Sequence, residues 1–257
     1  ANLENASFVG AKLVGTDLGG EQAEITPGVI EITYTNLKNA NLTRADLTGA
    51  KLKAADLTGA KLINTNLQGA DLESVLFINV DATGADFRTT NFTDGRIENS
   101  IFDLANLGGV ALTDTKPENA GGIFNRYRGA NLQAFRAEDV TLGSADFRPY
   151  DPGLPGTQTG TIRIWTSDAL PTDFNKATDI VITNLSFTNL PDTNLSASNF
   201  NGANLMGLMA EDLNLNGADF SAYRTSTGQY IATNLTDTIL ADNPNKPSKS
   251  EAIGAKF

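Results

Sequence analysis

From Ala40 to Leu72 the chain reads ANLTR ADLTG AKLKA ADLTG AKLIN TNLQG ADL. A five-residue unit recurs there without a slip. Each unit holds a small residue, a polar residue, Leu or Phe, and then two mostly polar residues. An apolar period of five matches neither the 3.6-residue helix nor the two-residue alternation of a strand. It demands a chain that turns a corner once per unit. One unit per side makes a square coil, and successive coils then stack with strand-like spacing.

With Leu or Phe as the centre of each unit, five registers follow one another. The first has Leu3, Phe8, Leu13 and Leu18. The second runs from Leu37 to Leu112. The third has Leu132, Ala137, Leu142 and Phe147. The fourth runs from Leu185 to Phe220, and the fifth adds Leu235 and Leu240. These make thirty-four units, which at about 4.8 Å per four-unit coil predict a rod roughly 40 Å long. Three centres are small: Ala82, Ala137 and Ala210. The residue two before each is enlarged, to Val80, Phe135 and Leu208. A close-packed interior needs its volume filled, so this exchange marks both positions as inward-facing. The other three positions of the unit are expected to face water.

The unit Ala45-Asp46-Leu47-Thr48-Gly49 and its neighbours match the consensus A(D/N)LXX. The chain thereby closely resembles the pentapeptide-repeat family, in the Leu-rich form of its cyanobacterial members. The resemblance covers about two-thirds of the sequence. It implies an all-β, right-handed quadrilateral parallel β-helix with four units per coil. One domain, residues 1–242, is expected, with a tail at 243–257.

Four insertions interrupt the repeat, near 19–34, 113–129, 148–183 and 221–232. They follow four, twenty, twenty-four and thirty-two completed units. All are multiples of four, so the expectation is that every insertion leaves the rod at one corner. All five tyrosines fall in these stretches, as do Trp165 and five of the nine arginines. Tyr, Trp and Arg are enriched in binding hot spots, and loops on a rigid scaffold commonly carry function. The candidate partner-binding residues are Trp165, Arg163, Tyr150, Arg126, Tyr127, Arg128, Tyr223, Arg224 and Tyr230. Thr161–Thr166 alternates in chemistry and predicts one strand of a projecting hairpin.

Composition narrows the chemistry. No cysteine and no histidine occur, which removes thiol nucleophiles, the commonest general base and the commonest transition-metal ligand. Aspartates such as Asp46, Asp56, Asp71 and Asp86 lie on a regular outward lattice and do not converge. The expectation is a non-enzymatic protein without cofactor or metal. A net charge of −11 argues against direct binding of nucleic acid, and no apolar run reaches the ~20 residues of a membrane span. The reading is a rigid scaffold that binds a protein partner. The resemblance supplies an alternative, a DNA mimic directed at a type II topoisomerase such as gyrase. Ladders twenty residues apart, such as Lys51, Asp71, Asn91 and Ala111, break up any continuous acidic stripe. Ser248 and Glu251 have capping-box spacing, so a short helix over the last coil is one expectation and an irregular tail the other. The uncovered N-terminal end suggests a preceding domain or end-to-end association.

Overall fold

The computed structural model describes residues 1–26, 29–113, 125–128, 130–132, 136–138, 145–153, 162–164, 180–188, 190, 195, 197–211 and 215–241. The described residues form a parallel β-helix. The residue before each centre pairs with its equivalent one coil on, and four ladders result. Face A carries Asn2, Asn36, Asp56, Leu76 and Arg96. Face B carries Ser7, Asn41, Lys61, Asp81, Ile101, Arg126, Asp146, Asn199 and Asp219. Face C carries Lys12, Asp46, Asn66, Asp86, Asn106, Asn131, Asn184, Asn204 and Asn234. Face D begins with Asp17, Lys51, Asp71 and Asn91. The expected twenty-residue stacking therefore holds wherever no insertion intervenes.

Each residue type in the unit has a local cause. The Asp or Asn before the centre accepts the N–H two residues on, as in Asn41 to Thr43, Asp46 to Thr48 and Asp81 to Thr83. This side-chain turn bends the chain out of the strand. The centre's carbonyl then accepts the N–H three residues on, as in Leu37 to Ala40 and Leu47 to Ala50. The residue two after the centre lies in the left-handed region, with φ of 55° at Asn39, 63° at Gly49 and 55° at Asn64. That requirement explains the Gly and Asn closing so many units.

The core is built from the centre and the residue two before it. Leu37, Ala40, Leu42, Ala45 and Leu47 are all buried, and Val80 and Ala82 are buried as the volume exchange requires. The expectation that the other three positions face water fails in places. Asn106, Asn131, Asn184 and Asn204 are buried on face C. Each amide donates to the one a coil below, from Asn131 to Asn106 at 2.9 Å, Asn204 to Asn184 at 2.9 Å and Asn234 to Asn204 at 2.8 Å. A continuous amide ladder satisfies these groups and lets them pack out of water. On face B, Phe102, Tyr127, Phe147, Phe200 and Phe220 stack face to face, with centroids 4.9–5.1 Å apart and ring planes within 8°.

The expectation of a single insertion corner is overturned. The first insertion leaves after Leu18 and returns at Asn36, between faces D and A. The second also leaves after face D, at Ala111–Thr113. The third leaves after Phe147 and returns at Asn184, and the fourth leaves after Phe220 and returns at Asn234, both between faces B and C. The insertions thus divide between two diagonally opposite corners. The sequence count took Leu132 as the next unit after Leu112, on face A, but Asn131-Leu132 lies on face C. Arg126 stacks between Ile101 and Asp146 on face B, and Asn131 stacks on Asn106 on face C. Asn125-Arg126-Tyr127 is therefore part of the coil and not of the insertion, and the register resumes two faces later than the sequence count assumed. The proposed tail helix lies outside the described residues.

Three of the insertions close their necks in one way. Thr35, Thr183 and Thr233 each stand two before the first centre after an insertion. The Thr35 hydroxyl donates to the carbonyl of Gly19. Thr183 donates to the carbonyl of Arg148 at 2.8 Å, and the Thr233 hydroxyl is shared between the carbonyls of Phe200 at 3.1 Å and Ser221 at 3.2 Å. Gly19, Arg148 and Ser221 each stand just after the last centre before the insertion. A side-chain bond so replaces the backbone turn that an insertion removes.

Candidate protein-interaction surface

The third and fourth insertions emerge from the same BC corner, and their chemistry meets there. In the fourth, Tyr223–Arg224 pairs antiparallel with Tyr230–Ile231, with Tyr223 opposite Ile231 and Arg224 opposite Tyr230. Side chains alternate across a strand, so one pair faces the rod and the other faces out. Ile231 and Thr225 are buried. This inward face lies on Gly202, where an added Cβ would come within 2.8 Å of the Tyr223 Cβ. Only glycine leaves room for the hairpin at that corner. On the outward side Tyr230 is 71% exposed, and Arg224 is exposed with no ion pair among the described residues.

The third insertion clasps the tip of this hairpin. The Asp151 carboxylate accepts the Ser226 N–H and the Ser226 hydroxyl, each at 2.6 Å, and the Gly153 N–H at 3.0 Å. The Tyr223 hydroxyl also lies close enough to this carboxylate to favour its charged form. Partial burial alone would raise the Asp151 pKa, but these donors outweigh it and hold the carboxyl below its ordinary range. Tyr223 shifts the opposite way, pushed up by burial and by the Asp151 charge.

Beneath the clasp lies a layer of arginine–carboxylate pairs. The Asp103 carboxylate is buried and receives Arg126 Nε at 3.0 Å, Arg128 Nη2 at 2.6 Å and the Arg128 N–H at 3.2 Å. Arg148 forks onto Asp146 with distances of 2.9 and 2.8 Å. The Arg128 guanidinium lies 5.9 Å from the centre of the Tyr150 ring, a cation–π distance.

Of the nine sequence candidates, Arg126, Arg128, Tyr150, Tyr223, Arg224 and Tyr230 gather at this corner. Tyr127 does not. It is a coil centre, buried between Phe102 and Phe147. Burial pushes its hydroxyl pKa well up, and the Asn125 side chain partly counters this. The sequence reading places Tyr127 in an insertion as a partner-binding residue, but its flat ring stacks at the spacing of the coils and fills the repeat interior. Trp165 lies outside the described residues, and for Arg163 only the backbone is described. The strand expected at Thr161–Thr166 is present as Ile162–Ile164 and pairs parallel with Ile180–Ile182, and the expected hairpin partner falls outside the described residues. Sequence reasoning missed Asp103, Asp151 and Ser226. Asp103 stands one coil below Arg128 and becomes legible once the Tyr127 unit is counted. Asp151 and Ser226 are 75 residues apart, and no local pattern joins them.

Among the described residues no helix is long and apolar enough to cross a membrane. A model of the family described as pentapeptide repeats matches residues 32–62, 55–94 and 183–221, with eight copies. No curated protein sequence matches the chain. Among solved structures, HetL from the cyanobacterium Nostoc sp. strain PCC 7120, a pentapeptide repeat protein involved in heterocyst differentiation regulation, is 20% identical with a TM-score of 0.40. That match covers 94% of this chain and 86% of HetL. QnrB1, a plasmid-mediated fluoroquinolone resistance protein, is 12% identical with a TM-score of 0.35, over 93% of this chain and 88% of QnrB1. Rfr23 from the cyanobacterium Cyanothece 51142 is 20% identical with a TM-score of 0.25, over 55% of this chain and 80% of Rfr23.

Proposed function

We propose that this chain, a protein of the pentapeptide-repeat family, is a non-enzymatic scaffold that binds a protein partner at its BC corner. One observation carries the reading. The third and fourth insertions are fastened together through Asp151 and Ser226, and the fused unit turns Arg224 and Tyr230 outward. The fold has no use for that pair. Exposed Tyr and Arg on a rigid support lose little conformational entropy on binding, which is the character of a hot spot. Many of the described carboxylates, among them Asp46, Asp81, Asp86 and Asp103, serve as turn acceptors or ion-pair partners, which supports a role without catalysis.

The test is capture from a source lysate with the intact chain and with an R224A/Y230A variant, followed by reconstitution with the purified partner. Both substituted side chains point away from the rod, so the circular dichroism of the β-helix should not change. A partner held by the intact chain and lost by the variant supports the reading. Equal capture by both sinks it.

The net charge of −11 favours a second reading, a DNA mimic that binds a type II topoisomerase. Cations interleaved with the acids count against it, among them Lys38 paired with Asp56 and Lys53 with Glu73. Inhibition of gyrase supercoiling at micromolar protein would overturn the preference for the corner.

A further inference from the structure

We infer that the segment docking on the BC corner is acidic, an extended stretch of a partner protein carrying carboxylate side chains. This rests on the interaction reading above and adds the chemistry of the partner. The argument comes from which charges face solvent. Asp103 is only 2% exposed at its side chain, while the Arg126 and Arg128 that cover it are 40% and 28% exposed. Asp146 is 20% exposed and its partner Arg148 is 41% exposed. Asp103 and Asp146 thus form an inner layer with guanidiniums outside it, while Asp151, which stands above the arginines, is taken up by Ser226 and Gly153. Two arginines share the single Asp103. Arg128 and Arg148 lie close enough to oppose each other's charge, and both act on the Tyr223 hydroxyl above them. Arg224 stands beyond them, exposed and without an ion pair among the described residues.

An approaching segment therefore meets three or four guanidinium edges flanked by the Tyr150 and Tyr230 rings. A planar guanidinium takes a carboxylate through two parallel hydrogen bonds, and the rings supply apolar area beside it. The remainder of the rod is acidic, with a net charge of −11 on the whole chain. It repels such a segment and so confines docking to this corner.

The experiment measures fluorescence anisotropy of a fluorescein-labelled peptide of alternating glutamate and glycine. A lysine–glycine peptide and an oligothymidylate of equal length are the comparisons. The variants are R224E, R224K and, far down face B, K61E. The glutamate peptide should bind, and the lysine peptide should not. R224E should weaken binding by about tenfold or more, R224K by a smaller factor because it keeps charge without the fork, and K61E by less than about twofold. The proposal fails if the glutamate peptide does not bind, if the lysine peptide binds as well, or if R224E matches K61E. It also fails if the oligonucleotide binds at least as tightly as the glutamate peptide, since the corner would then select phosphate. If the glutamate peptide fails while R224A/Y230A still loses its captured partner, the partner chemistry is wrong and the interaction surface stands.

Discussion

The coils between Leu37 and Val110 and those beyond Asn125 run on the same five-residue rule but are held together differently. The earlier coils are uninterrupted. Their interiors are Leu-rich up to Leu72, and their outward ladders mix charges, as in Asn41, Lys61 and Asp81. The later coils are opened twice at the BC corner. Face B beside that opening carries the run of stacked rings from Phe102 to Phe220. Face C on the other side carries asparagine at every step from Asn106 to Asn234. An uninterrupted coil holds neighbouring faces together through its short corner turn. Where an insertion replaces that turn, each flanking face is fixed to the coils above and below instead. Rings do this on one side, amides on the other, and a threonine ties the neck between them.

Phe147 sits in the ring stack directly before the third insertion, and its loss should have the largest effect. Phe147→Ala should cost about 3–5 kcal/mol and speed amide exchange along the whole stack, past Tyr127 and Phe200 to the coils of Phe102 and Phe220. Leu47→Ala also opens a core cavity, at about 2–5 kcal/mol, but its exchange effect should stay within the adjacent coils. Urea unfolding and exchange by mass spectrometry measure the two. A Phe147→Ala effect as local as that of Leu47→Ala would remove the special role assigned to the stack.

The amide ladder offers a smaller contrast. Asn184→Ala leaves buried partners on Asn131 and Asn204 without their bonds, at about 1–3 kcal/mol. Asn66→Ala, in the partly solvated part of face C, should stay near 0.5 kcal/mol, roughly the cost of an ordinary surface change. Equal costs in thermal unfolding would mean that the buried ladder adds nothing beyond its turns.

Much of this division was open to a reader of the sequence, and its failures have physical causes. The five-residue period, the inward pair at Leu37 and Ala40 and the compensation of Ala82 by Val80 follow from volume and turn geometry alone. Those are properties of neighbouring residues. Tyr127 carries no repeat signature of its own, since tyrosine stands at no other described coil centre, so the sequence assigns it to an insertion. A tyrosine ring parallel to its neighbours occupies the same slot as phenylalanine, and its hydroxyl finds Asn125. Taking Leu132 as the next unit after Leu112, when Arg126 already occupies face B, put the count two faces out and merged two corners into one. The clasp between Asp151 and Ser226 joins insertions whose only common feature is the corner they leave from, so no spacing encodes it.

The neck threonines give the next test. Thr183→Val removes the bonds to the carbonyls of Tyr127 and Arg148 and should cost about 1 kcal/mol, with faster exchange at residues 148–153. Thr65→Val removes a comparable bond to Leu42 in an uninterrupted coil. It should cost a similar amount without loosening any insertion. If Thr183→Val leaves exchange at 148–153 unchanged, the hydroxyl is not what holds the neck.

The clasp should also depend on pH, in a direction set by its two titrating groups. Asp151 has its pKa lowered from 3.8 in the folded chain, so the ionised form is the one favoured by folding. Its contribution is complete above the unfolded value and is lost as pH falls through the lower, folded one. Tyr223 is raised from 10.0, so the neutral hydroxyl is favoured, and its contribution disappears as pH rises through that raised value. The hairpin should therefore hold its grip across the interval between them and release at both extremes. Amide exchange at Tyr223–Ile231, corrected for the intrinsic pH dependence, should show protection falling below about pH 4. Asp151→Asn keeps the shape but not the charge, so protection in that variant should start lower and show no acid step. An acid step of equal size in Asp151→Asn would show that Asp151 is not the group whose protonation releases the hairpin. The effect is the smallest of the four because the clasp is partly solvated, yet it reports on the one place where the two later insertions act as a single unit.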